Sequence, residues 1–184
     1  MEVGRTLRAR SRSEWRRWLD ENHATAKEIW LVLHTKASGK RFVPYSASVE
    51  EALCFGWIDS IVKKLSAESR AQRFTPRRAG SPVSELNKER ARKMIAEGKM
   101  TEAGLASLGD LTPEKFEVEP DVLAALKEDP EVWANFQRFP DSYQRVRVGW
   151  IQNTTGPAEV REQRLRYFIK MTKQGKRFGS HSSA

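Results

Sequence analysis

The chain has 184 residues, a formal net charge of +9, and 39% hydrophobic residues that include six tryptophans and eight phenylalanines. This apolar content suffices for a packed core, so we exclude global disorder and expect one domain, or one domain with a helical extension. The single cysteine, Cys54, excludes an intrachain disulfide and a cysteine-based metal site, and no apolar run is long enough to span a bilayer.

The first predicted elements are a helix, a strand and a turn. Ser11 and Glu14 have the spacing of a capping box that opens a helix ending near Asn22. The run from Glu28 to Thr35 is rich in apolar and β-branched residues, which predicts a strand. A turn with a glycine follows, and the segment from Arg41 to Tyr45 is expected to be extended and to pair with that strand.

A second helix is predicted from Ala47 to Phe55, because Ser48 and Glu51 repeat the capping-box spacing and Gly56 can end it. The later elements are two strands, a basic loop and helices that begin near a proline or a threonine. They are strands over Trp57–Leu65 and Arg70–Thr75, the loop Pro76–Pro82, a helix from Pro82 to Glu97, a helix from Thr101 to Leu108, helices starting near Pro120, Pro130 and Pro140, and a helix from Pro157 to Gln174.

This order, mixed at first and then helical, predicts an α+β fold: a small antiparallel or mixed sheet with packed helices, followed by a helical C-terminal part. The expected domain organisation has four parts. They are an α+β domain at 1–109, an acidic linker at 110–119, a helical region at 120–175, and a tail at 176–184. The basic N-terminus has neither an apolar core nor a cleavage site, so no secretory signal is predicted, and a cytoplasmic location is expected.

The most specific motifs lie in the centre of the chain. They are Tyr45, the run ALCFGWIDS from Ala52 to Ser60, the run RFTPRR from Arg73 to Arg78, and Ser81, Ser84 and Asn87. In these motifs, and over nearly its whole length, the chain resembles the YdeI/OmpD-associated family, also described as bacteriocin-protection proteins. Two segments depart from that family's pattern. Val83 stands where the family usually has tryptophan, and residues Asn153 to Val160 read NTTGPAEV where an Ala-Lys-x-x-Glu-Thr-Arg-like stretch usually leads into the family's last helix.

The resemblance implies a role in bacterial stress tolerance and in protection from antimicrobial peptides or bacteriocins, with an envelope protein as one class of partner. It implies no reaction, because the family has no firmly established one. No cofactor is expected, and a binding protein is favoured over an enzyme.

Arginines give the strongest indication of a site, because a guanidinium group matches carboxylate and phosphate groups in bidentate geometry. Pro76 stiffens the loop that carries two of them. The sequence therefore predicts a pocket for a small anion or an acidic peptide end. Its expected residues are Tyr45, Trp57, Asp59, Arg73, Arg77, Arg78, Ser84 and Asn87.

Two interpretations of these residues stay open. In the functional one, Asp59 holds an arginine in place, Trp57 walls the pocket, and donors at a helix N-terminus contribute. In the structural one, Trp57 belongs to the core and Asp59 forms an ion pair with one arginine. An enzyme with Asp59 as general acid or base is a further alternative, although neighbouring arginines would lower the pKa of a base. Cys54, flanked by apolar residues near a helix end, is predicted to be a buried hydrophobe.

The charge distribution supports a nucleic-acid-binding alternative. Residues 145–177 contain nine basic and two acidic residues, whereas residues 101–131 contain nine acidic and two basic ones. The basic side chains that would bind nucleic acid lie on the last helix and are Arg161, Arg164, Lys170 and Lys173. The competing interpretation is an internal electrostatic match between the two stretches. The three histidines lack metal-ligand spacing, and no phosphate-binding glycine loop is present.

Overall fold

The computed structural model describes residues 2–179, apart from the side chain of Lys36; of the predicted tail, residues 180–184 lie outside the described residues. The chain forms two compact units. One comprises Met1–Val83 with Arg90–Leu111, and the other comprises Ser84–Glu89 with Thr112–Ala184.

The first unit contains a four-stranded mixed sheet, which confirms the predicted α+β class. Its strands are β1 (Thr6–Leu7), β2 (Ile29–His34), β3 (Trp57–Lys64) and β4 (Ser69–Pro76), in the order β1-β2-β4-β3. β1 runs parallel to β2, whereas β2 and β4, and β4 and β3, are antiparallel. Strand β1 was not predicted, because two residues are too short for a recognisable pattern.

Four helices accompany the sheet in the order of the chain. They are α1 (Arg12–Asn22), α2 (Tyr45–Cys54), α3 (Glu85–Ala96), whose residues up to Glu89 are grouped with the second unit, and α4 (Glu102–Leu108). The core of the first unit is rich in tryptophan and leucine. Its largest fully buried members include Trp15, Leu19, Leu31, Leu53, Trp57 and Phe74.

The second unit is helical, as the sequence predicts for the C-terminal part. Its helices are α5 (Pro120–Lys127), α6 (Pro130–Arg138), α7 (Asp141–Gln152) and α8 (Ala158–Lys173). The three predicted helix starts near Pro120, Pro130 and Pro140 are confirmed. Proline suits these positions because it lacks the N–H that the first turn of a helix leaves unpaired. The core of this unit includes Val122, Leu126, Phe136, Ile151 and Phe168.

The predicted start of α2 is wrong. The helix begins at Tyr45, directly after Pro44, and Ser48 lies inside it with its hydroxyl donating to the Tyr45 carbonyl at 2.7 Å. Ser48 therefore does not cap the helix, and Glu51 is free to face another helix. The extended segment expected before Tyr45 is not a strand; Val43 instead donates its N–H to the Ala9 carbonyl at 3.2 Å.

The end of α2 is held by a close approach of α4. Gly56 has a φ of +73°, which suits glycine, and directs the chain into β3. Thr101 caps α4, as predicted, and also donates its hydroxyl to the Cys54 carbonyl at 2.5 Å. A Cβ at Gly104 would lie 2.3 Å from that carbonyl oxygen, so only glycine fits there. Cys54 itself is buried, which raises the pKa of its thiol to about 11.

Two adjacent carboxylates of α2 join three helices. Glu51, whose side chain is 2% exposed, accepts hydrogen bonds from the guanidinium groups of Arg12 and of Arg16, the latter at 2.6 Å. Glu50 pairs with Arg12 at 2.8 Å and with Lys93 of α3 at 3.2 Å. A buried carboxylate is tolerated only when it is paired in this way, so these contacts fix how α1 lies on α2.

We predict that Glu51→Gln lowers the free energy of unfolding by about 2 kcal/mol, because two guanidinium groups lose their buried anionic partner. The loss is moderate, since both arginine side chains are one-third exposed. Urea denaturation measures it.

The matched control is Glu162→Gln, which removes an exposed carboxylate that pairs with Arg166 within α8. Its effect should stay within about 0.5 kcal/mol. Equal destabilisation by the two substitutions would contradict the role given to Glu51.

Candidate functional site

The first unit contains a pocket of about 570 Å³ beside the β3–β4 hairpin. Most of its wall is apolar, and its basic side chains come from the two strands of the hairpin. The residues that line this hairpin pocket are Leu33, His34, Thr35, Phe42, Pro44, Tyr45, Val62, Lys64, Ser66, Ala67, Ser69 and Arg70. A volume in this range is typical of small-molecule sites.

Sheet register places the wall of the hairpin pocket on one face. Leu33 of β2 is paired with Arg70 of β4, and Arg70 is paired with Lys64 of β3. Directly paired residues point to the same side of a sheet, so these three side chains share a face. Leu33 belongs to the core as well. The hairpin pocket is thus a continuation of the core face, bounded by the segment before α2.

A short polar contact stands beside this wall. The Tyr45 hydroxyl donates a 2.6 Å hydrogen bond to Oδ2 of Asp59 in β3. Burial and the Asp59 carboxylate raise the pKa of Tyr45 to about 12, because both disfavour a tyrosinate. Tyr45 therefore stays a neutral donor at physiological pH, and its hydroxyl is directed at Oδ2 of Asp59.

Two arginines act electrostatically on this pair. Arg70 lines the hairpin pocket, and its positive charge interacts with Tyr45. Arg90 is 8% exposed; burial lowers the pKa of its guanidinium, and the charges of Asp59 and Glu50 oppose that shift. The site thus combines an apolar wall with a fixed tyrosine hydroxyl and positive charge.

The structure places Trp57 and Arg73 away from the hairpin pocket. Trp57 is fully buried in the core, where its indole N–H donates to the His23 carbonyl at 3.1 Å. Arg73 forms an ion pair with Glu28 at 2.5 Å, which lowers the pKa of that carboxylate. The position of Trp57 agrees with the structural interpretation, in which this side chain belongs to the core.

The proline loop does not bring its arginines to Asp59. Arg77 donates to the carbonyl groups of Ser81 and Pro82, each at 3.1 Å, and burial lowers the pKa of its guanidinium. Arg78 is exposed. Ser84 and Asn87 belong to the second unit, where the Ser84 hydroxyl accepts the Asn87 N–H at 3.3 Å at the start of α3. That helix begins at Glu85, not at Pro82 as predicted.

Of the predicted site residues in the first unit, Tyr45 and Asp59 are in direct contact through a hydrogen bond, and Tyr45 lines the hairpin pocket. Sequence reasoning missed the side chains that form the wall of the hairpin pocket. They include His34, Phe42, Val62, Lys64 and Arg70. A signal available in the sequence was the presence of Val62 and Leu65 on either side of two lysines. The structure shows that both apolar side chains are exposed.

Two basic residues near the ends of α8 pair with carboxylates of the second unit. Arg161 pairs with Glu119 and with Asp121, the latter at 2.6 Å. Lys173 pairs with Asp129 at 2.8 Å. These pairs are the internal electrostatic match that the charge distribution suggested as an alternative to nucleic-acid binding.

The middle of α8 carries the other two residues of the nucleic-acid alternative. Arg164 donates to the Trp150 carbonyl at 2.6 Å and lies 4.8 Å from the centre of the Trp150 ring. Its charge is therefore used within the second unit, whereas Lys170 is exposed.

The described part of the chain contains neither a metal-binding cluster nor a membrane-spanning helix. Within residues 2–179, no group of three or more His, Cys, Asp or Glu residues is placed to hold a metal ion. None of the helices described is both long and apolar enough to cross a membrane.

The fold and the hairpin pocket define an α+β protein with a candidate small-molecule site. A family model described as "Domain of unknown function (DUF8412)" matches residues 7–107, more than half of the chain, so the chain belongs to that family. A second model, described as "Bacteriocin-protection, YdeI or OmpD-Associated", matches residues 115–175 and confirms the family resemblance there. The motifs between Tyr45 and Asn87 lie within the first match. No curated protein and no solved structure matches the chain.

We predict that the phenol of Tyr45 titrates near pH 12 in the folded protein, and that the high-pH component of the ultraviolet difference titration is smaller in Tyr45→Phe than in the unmodified chain. Tyr143, whose pKa is also raised by burial, contributes to what remains. The folded-state pKa of Tyr45 lies above the unfolded value of about 10. The contribution to stability is thus complete below about pH 10 and is lost as the pH rises toward 12.

Asp59→Asn should bring the Tyr45 pKa back toward 10, because the carboxylate that opposes ionisation is removed. A high-pH component of the same size in Tyr45→Phe and in the unmodified chain would refute the assignment.

Proposed function

We propose that this chain is a binding protein of a bacteriocin-protection-like, stress-defence type, which holds a small molecule with an apolar body and one anionic group in the hairpin pocket. The observation that carries the proposal is the combination of a pocket of about 570 Å³, a mostly apolar wall, and two cationic side chains at one end of that wall. An acidic peptide end with an apolar side chain is one ligand of this class.

The apolar part of the ligand would contact Leu33, Phe42 and Val62. Val62 is 51% exposed although it lies in a strand, so water now covers apolar surface that a ligand would bury. Burial of such surface stabilises a complex by about 25 cal/mol per Å² before the entropy cost of association. The wall therefore favours an apolar ligand body over a sugar or a free inorganic ion.

The anionic part would lie at Lys64 and Arg70, which are paired across the hairpin. Neither side chain has an ion-pair partner among residues 2–179. Within residues 2–179, Asp59 forms no ion pair with Lys64 or Arg70. A carboxylate or sulfonate on the ligand would form charge-assisted hydrogen bonds with Arg70, which are about twice as strong as neutral ones.

This account favours binding over catalysis. A general base needs a carboxylate that is available to a substrate proton. One oxygen of Asp59, Oδ2, already accepts the Tyr45 hydroxyl, and a phenol whose pKa is about 12 stays protonated at neutral pH. These groups suit the positioning of a ligand better than proton transfer.

Anilinonaphthalene sulfonate, an apolar anion, tests the proposal. We expect one molecule to bind per native chain in a calorimetric titration, and Arg70→Ala to weaken binding about tenfold, because one charge-assisted contact contributes about 1.5 kcal/mol. Val62→Asp should also weaken it, since a carboxylate would then line the hairpin pocket.

Two matched controls separate this site from general effects. Arg166→Ala removes an exposed arginine of the second unit, and Ile61→Asp changes a neighbouring exposed position that does not line the hairpin pocket. Both control variants should bind anilinonaphthalene sulfonate with the affinity of the unmodified chain. Near-ultraviolet circular dichroism must stay native throughout, because this probe also binds partly folded states. The proposal fails if the native chain binds none, or if Arg70→Ala and Arg166→Ala have the same effect.

A further inference from the structure

A second cavity of about 500 Å³ in the first unit is surrounded by positive charge. Its lining consists of Arg8, Arg10, His34, Lys40 and Arg41. We call it the basic cavity. It is separate from the predicted arginine site, of which none of its residues was a part.

The fold brings two distant basic segments together here. The pairing of β1 with β2 carries the chain after Leu7 along the end of β2, so that Arg8 and Arg10 approach His34. The segment with Lys40 and Arg41 is held against the same stretch by the hydrogen bond from the Val43 N–H to the Ala9 carbonyl. The clustering of charge is therefore a product of the backbone arrangement.

The cations that line the basic cavity differ from the nearby arginines of α1 in their ion pairs. Arg12 and Arg16, only a few residues further on, pair with the carboxylates of α2. By contrast, within residues 2–179 the side chains of Arg8, Arg10, Lys40 and Arg41 have no ion-pair partner. The carboxylate in contact with this segment is that of Glu14, which accepts the backbone N–H of Arg10 at 2.8 Å.

We infer that the basic cavity binds a small polyphosphate group. Four cationic side chains around one cavity repel one another, and a ligand with several negative charges offsets more of that repulsion than a single carboxylate does. Guanidinium groups form bidentate contacts with phosphate oxygens, and three of the four cations are arginines. His34 completes the lining between these cations.

This inference does not rest on the proposed function of the hairpin pocket. The two cavities share only His34 among their lining residues, and the hairpin pocket is largely apolar whereas the basic cavity is formed by charged side chains. A polyphosphate has no apolar body to fill the hairpin pocket. Each site can therefore fail its own test without affecting the other.

Inorganic tripolyphosphate tests the inference by calorimetry at low salt with the full chain. We expect one binding event, weakened about tenfold by Arg10→Ala and by Arg41→Ala, since each removes one bidentate contact. Arg17→Ala is the matched control: it removes the same charge from an exposed position of α1 that does not line the basic cavity. The control should change affinity less than twofold, because exposed charges at a distance are screened.

Adenosine triphosphate forms a second arm and separates the two sources of a polyphosphate group. Equal affinity for both compounds would support recognition of the phosphates alone, and tighter binding of the nucleotide would support recognition of phosphates attached to a nucleoside. The inference is overturned if neither compound binds, or if Arg17→Ala weakens binding as much as Arg10→Ala. It is also overturned if a single-stranded oligothymidylate of about ten nucleotides binds while both small compounds fail, which would indicate a nucleic-acid surface.

Discussion

The buried carboxylate of Glu51, held by Arg12 and Arg16, is the interaction on which the first unit depends. A charge in this position is costly without partners, so α1 can lie on α2 only where both guanidinium groups reach it. Glu50 extends the same constraint to Lys93 of α3. Pairing of this kind adds little stability over an apolar core, but it selects one arrangement of the helices.

The candidate site follows from that arrangement. Tyr45 is the first residue of α2, so fixing α2 also fixes the phenol that donates to Asp59. At the other end of the helix, the Cys54 carbonyl and Gly104 hold α4 in close contact. With both ends of α2 held, the segment before it contributes Phe42 and Pro44 to one side of the hairpin pocket. The site is thus formed by the packing of α2 more than by any local motif.

Local signals in the sequence predicted much of the fold and little of the site. Thr101 and the prolines at the starts of α5, α6 and α7 act within one turn of helix, so their meaning can be recognised from neighbouring residues. The role of Glu51 cannot be recognised from neighbouring residues, because Arg16 and Arg12 lie 35 and 39 positions away. Its spacing from Ser48 instead suggests half of a capping box. The same holds for the hairpin pocket: its wall depends on strand register and on the irregularity between Asp59 and Val62. Arg73 and Arg77 stand in a recognisable motif, yet their partners are Glu28 and the Ser81 carbonyl.

The central claim is that the hairpin pocket, rather than the arginine motif, receives an apolar anion. The most direct measurement is a map of backbone amide chemical shifts by nuclear magnetic resonance during titration with anilinonaphthalene sulfonate. The account predicts that the largest changes fall on Leu33, Phe42, Val62 and Arg70, and that the amides of α5 to α8 stay nearly unchanged. Changes centred on Arg77 and Ser81, or on the second unit, would contradict it.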